Sequence, residues 1–156
     1  MSPKPMPAVG EPAPEFRLRG PGGPSIALSD YRGSKNVVLV FFPLAFSPVC
    51  SHQLPALEKD ARRIEALGAV LLGISVDSHY ANAAFARSLG LSFPLLSDFD
   101  RSTSEAYGML IPEKLYSGRA LFVVDRQGKI AYRDASPTPA EVPGQAELLA
   151  ALERLR

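Results

Sequence analysis

The sequence predicts an α/β protein: a central mixed β-sheet flanked by helices, with a β-hairpin near its N-terminal end. Three features predict it. Continuous apolar runs at 36–42 and 70–76, rich in β-branched residues, read as strands buried on both faces. Segments with helical apolar spacing follow them. Near the C-terminal end two more apolar runs flank a turn sequence, so antiparallel strands join a βαβ core.

The elements follow in order. Phe16 and Leu18 alternate with Arg17 and Arg19, and Ile26 and Leu28 come after the break Gly20-Pro21-Gly22-Gly23-Pro24. These are two short strands around a loop, although Pro24 argues against a tight turn. The run Asn36 to Phe42 stops at Pro43. Apolar residues then recur at Leu54, Leu57, Ala61, Ile64 and Leu67, with charges between them and Gly68 at the end. That is an amphipathic helix, and Pro55 is expected to kink it or break its first turns. A second buried strand runs from Val70 to Val76. Asp77 or Ser78 caps a helix reaching Leu89, before Gly90. Phe93 to Leu96 reads as a short strand and Ser102 to Tyr107 as a short helix. Ala120 to Val124 and Lys129 to Tyr132 are strands joined by Asp125-Arg126-Gln127-Gly128. The proline-bearing stretch 136–143 reads as a loop, and Leu148, Leu149, Leu152 and Leu155 mark the last helix. From residue 36 onward this order matches a thioredoxin-like arrangement.

With 156 residues, 46% of them hydrophobic and 21% charged, the chain can bury one core. Residues 1–156 are therefore expected to form one domain, with 1–8, which carry Pro3, Pro5 and Pro7, as a loose arm. A net charge of +1 gives no reason to expect nucleic acid or an anionic membrane as partner. No apolar run approaches the roughly 20 residues of a spanning helix, and the N-terminal segment has no apolar signal region. A single cysteine excludes an internal disulfide, so a reducing, cytoplasmic location is expected.

That cysteine, Cys50, stands between the carboxyl end of a predicted central strand and the amino end of a long helix. Ligands of open α/β sheets bind at such junctions. Unpaired N–H groups and the helix dipole there stabilise a thiolate. A lone cysteine is also commonly a small buried hydrophobe, and composition does not choose between the two. The hydroxyl of Ser47, three residues earlier, adds weight to chemistry.

The pattern Pro43-x-x-x-Ser47-x-x-Cys50 resembles the active-site motif of the peroxiredoxins, Pro-x-x-x-Thr/Ser-x-x-Cys. Five further segments are similar to that family in the same order: Val9 to Phe16, Leu28-Ser29-Asp30-Tyr31-Arg32-Gly33, Gly73-Ile74-Ser75-Val76-Asp77-Ser78, Phe93 to Asp98 with Tyr107-Gly108 after it, and Arg119-Ala120-Leu121-Phe122-Val123-Val124-Asp125. The nearest likeness is to the one-cysteine AhpE subgroup, near the bacterioferritin-comigratory type. The resemblance implies a thioredoxin-like fold and a thiol peroxidase. It implies that Cys50 is the peroxidatic nucleophile and that Ser47 hydrogen-bonds the thiolate and the peroxide. Pro43 would shield the sulfur, and Arg119 would hold the thiolate and polarise the peroxide. The N–H groups of Val49 and Cys50 would point at the substrate, and Gln53 would sit in a supporting network. Most members carry Thr where Ser47 stands. Serine lacks the methyl that restricts χ1, so its hydroxyl is expected to be held less rigidly.

Lowering a thiol pKa does not by itself make a fast peroxidase. A fall from about 8.5 to about 6 raises the thiolate fraction at pH 7 roughly thirtyfold. A Brønsted slope of about 0.4–0.5 takes back roughly tenfold in nucleophilicity. The larger contribution is expected from donors aimed at the oxygens, at about 2.7–4 kcal/mol each by analogy with an oxyanion hole. Oxidation yields a sulfenic acid at Cys50. With no second cysteine, an external thiol must recycle it: a low-molecular-weight thiol, thioredoxin or a glutaredoxin-like protein.

Other readings carry less. His52 and His79 show no familiar metal spacing, so no metal and no cofactor is expected. There is no Gly-x-Ser-x-Gly elbow, no phosphate-loop Lys-Ser/Thr after Gly20 to Gly23, and no Cys-x-x-Cys. Phe46, Tyr80, Phe93 and Tyr107 read as core by default. The resemblance offers a homodimer instead, with the regions of Tyr80 and Tyr107 as contacts. The functional alternative to a peroxidase is a thioredoxin-fold redox sensor, chaperone or binding module without turnover.

Overall fold

The computed structural model describes residues 5–48, 50–135 and 145–155, with Cys50 described through its backbone. The loop read at 136–143 and the first four residues of the N-terminal arm lie outside that range. The elements are β1 (Arg17–Arg19), β2 (Ser25–Ala27), a 3-10 turn (Leu28–Tyr31), β3 (Asn36–Phe41), α1 (Cys50–Lys59), α2 (Ala61–Ala66), β4 (Ala69–Ser75), α3 (His79–Leu89), β5 (Leu95–Ser97), α4 (Ser102–Ala106), β6 (Leu110–Ile111), β7 (Tyr116–Ser117), β8 (Ala120–Val124), β9 (Ile130–Ala135) and α5 (Gln145–Arg154). Seven strands form one sheet in the order β2-β1-β5-β4-β3-β8-β9. β3, β4 and β5 run parallel, while β8, β9 and the β1–β2 hairpin add antiparallel partners. The expected mixed sheet and N-terminal hairpin are both present; β6 and β7, a separate two-stranded ribbon, were too short to leave a period in the sequence.

β3 lies inside the sheet, between β4 and β8, because both of its faces are apolar. Val38, Val40 and Phe42 face a layer formed with Leu54, Leu57, Ile64, Phe85, Leu148 and Leu152 from the helices. Val37, Leu39 and Phe41 face the opposite layer, with Leu28, Tyr107 and Phe122. In that second layer the rings of Phe41, Tyr107 and Phe122 meet with centroids 5.3 to 5.7 Å apart, two of the three contacts edge-on, which suits their quadrupoles. Tyr107 is fully buried, and its hydroxyl donates to Pro14 O at 2.7 Å. It is therefore core, not a surface contact between protomers.

Two expectations change. The long helix after Cys50 breaks at Asp60, not at Pro55. Asp60 N–H donates three residues back, to Leu57 O, so the Ala56 carbonyl is released from the helix. Gln145 Nε2 from α5 donates to that carbonyl at 3.0 Å and to Asp60 Oδ2 at 2.8 Å. A side chain from the far end of the sequence thus stabilises the break, which no local pattern reveals. The N-terminal arm is also tied where it is described: Arg133 Nη1 donates to Met6 O and Pro7 O, and Gly10 N–H donates to Ile130 O.

Asp98, fully buried beyond β5, caps the short α4 by accepting from Thr103 N–H at 3.0 Å and Ser104 N–H at 2.6 Å. Burial raises its pKa, outweighing the N–H donors that pull the other way. A carboxyl whose folded pKa lies above its unfolded one gives stability that is present below the unfolded pKa and lost as pH rises through the folded pKa. Urea titrations of the wild type should therefore lose stability relative to Asp98→Asn as pH rises from about 4, near the unfolded carboxylate pKa. A difference between the two that is flat with pH would contradict this account.

Candidate active site

The junction that the sequence marked lies at the carboxyl end of β3. The strand hands over to Phe42, whose N–H donates to Ile74 O and whose carbonyl accepts from the buried Ser117 hydroxyl at 3.1 Å. Pro43 is buried, and Leu44 and Phe46 turn outward. Phe46 adopts φ 67, a left-handed conformation that costs a non-glycine residue about 1–2 kcal/mol. Its ring is 57% exposed yet packs at 4.9 Å from Phe85 on α3, which offsets part of that cost. The chain then re-enters the structure, and Ser47 O accepts both the N–H and the hydroxyl of Ser51 at 3.0 Å.

Ser47 is half-buried, and its Oγ lies 2.9 Å from the Leu44 carbonyl oxygen. A carbonyl only accepts, so the single hydroxyl proton points there. Toward any reacting group Ser47 is then an acceptor. Cys50 opens α1, and Gln53 stands three residues later, on the same face of the helix. Gln53 and Arg119 are each 2% exposed, and Arg119 Nη1 donates to Gln53 Oε1 at 2.7 Å. That bond fixes which way the Gln53 amide faces, because a guanidinium has nothing to accept with. Among the described residues the Gln53 Nε2 group has no hydrogen-bond partner.

Arg119 reaches this place through topology. It immediately precedes β8, whose Ala120 pairs with Phe41 at the end of β3. Sequence reasoning singled out Pro43, Ser47, Cys50, Gln53 and Arg119. The structure brings the backbones of Pro43, Ser47 and Cys50 together on one loop and helix start, and places Arg119 against Gln53. Val49 lies outside the described residues. Asp77 and Ser117 were missed as site residues. Asp77 does not cap α3; Ser78 does, accepting from Ala81 N–H at 3.1 Å, while Asp77 turns to the loop and accepts from Ala45 N–H at 2.7 Å. Their side chains act across the sheet ends; the segment Gly73 to Ser78 was the only signal for Asp77, and none of the segments singled out contained Ser117.

Of the four aromatics weighed from the sequence, Phe93 and Tyr107 are buried, whereas Phe46 and Tyr80 are exposed. His52 is exposed, and His79 stacks on Tyr80 with centroids 4.0 Å apart. Among the described residues no three His, Cys, Asp or Glu side chains come together as a metal site, and no helix is long and apolar enough to cross a membrane.

A model of the AhpC/TSA family matches residues 9–133. Alkyl hydroperoxide reductase E of Mycobacterium tuberculosis is 40% identical over 149 residues, spanning 92% of this chain and 97% of its own. Among solved structures, a peroxiredoxin-like protein from Aquifex aeolicus superposes with a TM-score of 0.90 at 26% identity, over 98% of this chain and 90% of that one. The reduced 2-Cys peroxiredoxin of Plasmodium vivax gives a TM-score of 0.86 at 29% identity, over 93% of this chain and 80% of that one.

Truncating the acceptor of the buried guanidinium carries a stability cost. Gln53→Ala removes a hydrogen bond to a charged group and should lower unfolding free energy by about 1.5–3 kcal/mol. Chemical denaturation of the two proteins side by side measures it. Gln53→Glu, which keeps an acceptor for Arg119, should cost less.

Proposed function

This chain belongs to the AhpC/TSA family of peroxiredoxins, and from that premise we propose that it reduces hydroperoxides with Cys50 as nucleophile. The thiolate sulfur attacks one peroxide oxygen, and the O–O bond breaks. The other oxygen leaves as hydroxide or alkoxide and takes a proton. Sulfur gains the first oxygen as a sulfenic acid, and the peroxide is reduced by two electrons. An external thiol then attacks that sulfur and releases water, and a second thiol frees Cys50 from the mixed disulfide. The chain's single cysteine supports a recycling partner outside it. A low-molecular-weight thiol, thioredoxin or a glutaredoxin-like protein has the required chemistry. The substrates are hydrogen peroxide and small organic or lipid hydroperoxides.

The observation that carries this reading is the buried Arg119 guanidinium, held by Gln53 on the helix that Cys50 begins. A fixed positive group inside a low-dielectric site stabilises a thiolate and the charge that grows on the leaving oxygen without reorganising. Ser47 would serve as an acceptor for the peroxide O–H, since its proton goes to Leu44 O. Donation from Ser47 to the thiolate, as the family resemblance implied, would require that bond to break. Pro43, buried at the end of the strand, would keep bulk water from the sulfur. The N–H groups of Val49 and Cys50 would face the substrate oxygens.

The whole chain would act as one domain, in a homodimer. Tyr80 is 76% exposed and Phe99 67% exposed, and both line one groove with Leu18 and His79. Exposed aromatic rings gathered in one groove are characteristic of surfaces that bury on association. With Tyr107 in the core, the Tyr80 region carries this part of the proposal.

Peroxide consumption with dithiothreitol as reductant should be abolished in Cys50→Ser. One equivalent of peroxide should add one oxygen to Cys50 by mass spectrometry, and an unmodified thiol would defeat the assignment. In stopped-flow measurements Arg119→Met should slow peroxide reduction about a hundredfold or more, as loss of one charge-directed donor does. A parallel thiolate titration should account for only a few fold of that. Equal losses in rate and thiolate fraction would remove the polarising role. Light scattering should give twice the chain mass, and Tyr80→Asp should shift it toward the monomer; a wild-type monomer at micromolar concentration would end the dimer proposal.

A further inference from the structure

Asp77 stands two residues beyond the end of β4. Its Oδ2 accepts from the Ala45 N–H at 2.7 Å and from Ser75 Oγ at 2.8 Å. Ser75 Oγ also lies 3.1 Å from Oδ1 of the fully buried Asn82 on α3, whose Nδ2 donates to Leu96 O at 3.1 Å. Ser97 Oγ at the end of β5 donates to Asp77 O at 2.6 Å. Asp77 is thus held from β4 through Ser75 and from β5 through Ser97. From that scaffold its carboxylate holds one amide in the middle of the loop joining β3 to α1.

The Ala45 N–H is one half of the Leu44–Ala45 peptide unit. The other half, the Leu44 carbonyl, accepts Ser47 Oγ at 2.9 Å and Ser47 N–H at 3.4 Å. A peptide unit is planar, so fixing the direction of its N–H fixes the direction of its C=O. A carboxylate on the N–H also polarises the unit and strengthens its carbonyl as an acceptor. We infer that Asp77 is a positioning residue for the peroxidase site, which sets the rotamer of the Ser47 hydroxyl through the Leu44–Ala45 peptide plane.

A serine hydroxyl left to itself samples the staggered χ1 wells more freely than threonine, whose methyl narrows them. Here the restraint comes from outside the side chain. With the proton committed to Leu44 O, the Ser47 lone pairs are left to accept. The relay runs from a carboxylate, through one amide plane, to a hydroxyl, and it connects the end of β4 to the loop with no direct hydrogen bond between Asp77 and Ser47.

This inference rests on the reading that the Ser47 hydroxyl takes part in peroxide reduction, and a double-mutant cycle separates the two. The rate of Cys50 oxidation by hydrogen peroxide is measured by stopped flow in wild type, Asp77→Ala, Ser47→Ala and the double variant, with a thiolate titration of each. Asp77→Ala should slow oxidation about tenfold, the order of one charge-assisted hydrogen bond. In the Ser47→Ala background the same change should cost less than about twofold, because the group it acts through is gone. Asp77→Asn, which keeps an acceptor oxygen for Ala45 N–H but loses the charge, should fall between wild type and Asp77→Ala, about threefold below wild type. Equal fold-losses in the two backgrounds would assign Asp77 a purely structural role and overturn the inference while leaving the Ser47 reading intact. A Ser47→Ala variant as fast as wild type would overturn the Ser47 reading, and the inference with it. Should Asp77→Ala lose its circular dichroism spectrum, the cycle runs with Asp77→Asn, expected to slow oxidation about threefold with Ser47 present and not in its absence. Asp77→Asn at the wild-type rate would then overturn the inference.

Discussion

The antiparallel pairing of β8 with β3 is the constraint on which the site depends. Its register sets Ala120 opposite Phe41, so the residues just before β8 arrive where β3 ends. Arg119 and Ser117 are delivered to the mouth of the central strand in this way, one to grip Gln53 and the other to hold the Phe42 carbonyl. Slipping this pairing by one residue would turn Val123 and Leu121 away from the helical layer and Phe122 away from the aromatic one. The apolar alternation of β8 and the place of the guanidinium are therefore one structural decision.

Burying Arg119 has an energetic cost that its partners must offset. An arginine with 2% exposure has given up almost all of its hydration, and a charge so placed persists only when hydrogen-bonded. The 2.7 Å bond to Gln53 supplies one of those contacts. A neutral amide as partner satisfies the donor without cancelling its charge, whereas a carboxylate would do both.

The loop between β3 and α1 is organised by contacts that reach it from other elements. Phe46 in its left-handed conformation rests on Phe85, the Ala45 amide is held by Asp77, and the Leu44 carbonyl binds Ser47. The strand ends and α3 supply the fixed points. A short loop with a non-glycine left-handed residue would otherwise relax, and the precision of a catalytic hydroxyl or amide is set by how firmly its surroundings restrain it.

Much of this protein was written in local sequence. The two-faced apolar run of β3 fixed the central strand, the helical spacing after Cys50 fixed the layer above it, and the Asp125 to Gly128 turn fixed the final hairpin. The set Pro43, Ser47 and Cys50 stood out because its members are close in the chain. These features depend on periods of two and 3.6 residues and on turn chemistry, which are local. What only tertiary structure decided depends on partners far away in sequence. Gln145 reaches back to Ala56 and Asp60, so the helix breaks at Asp60 rather than at Pro55. Tyr107 enters the aromatic core rather than a surface. Asp77 leaves the helix cap to Ser78 and takes the Ala45 amide. A polar side chain bonds to whatever the folded chain brings within about 3 Å, and a sequence holds no such distances. Ser47 shows the division: its hydroxyl was visible from spacing, but the direction of its proton was set by a carbonyl that only the folded loop presents.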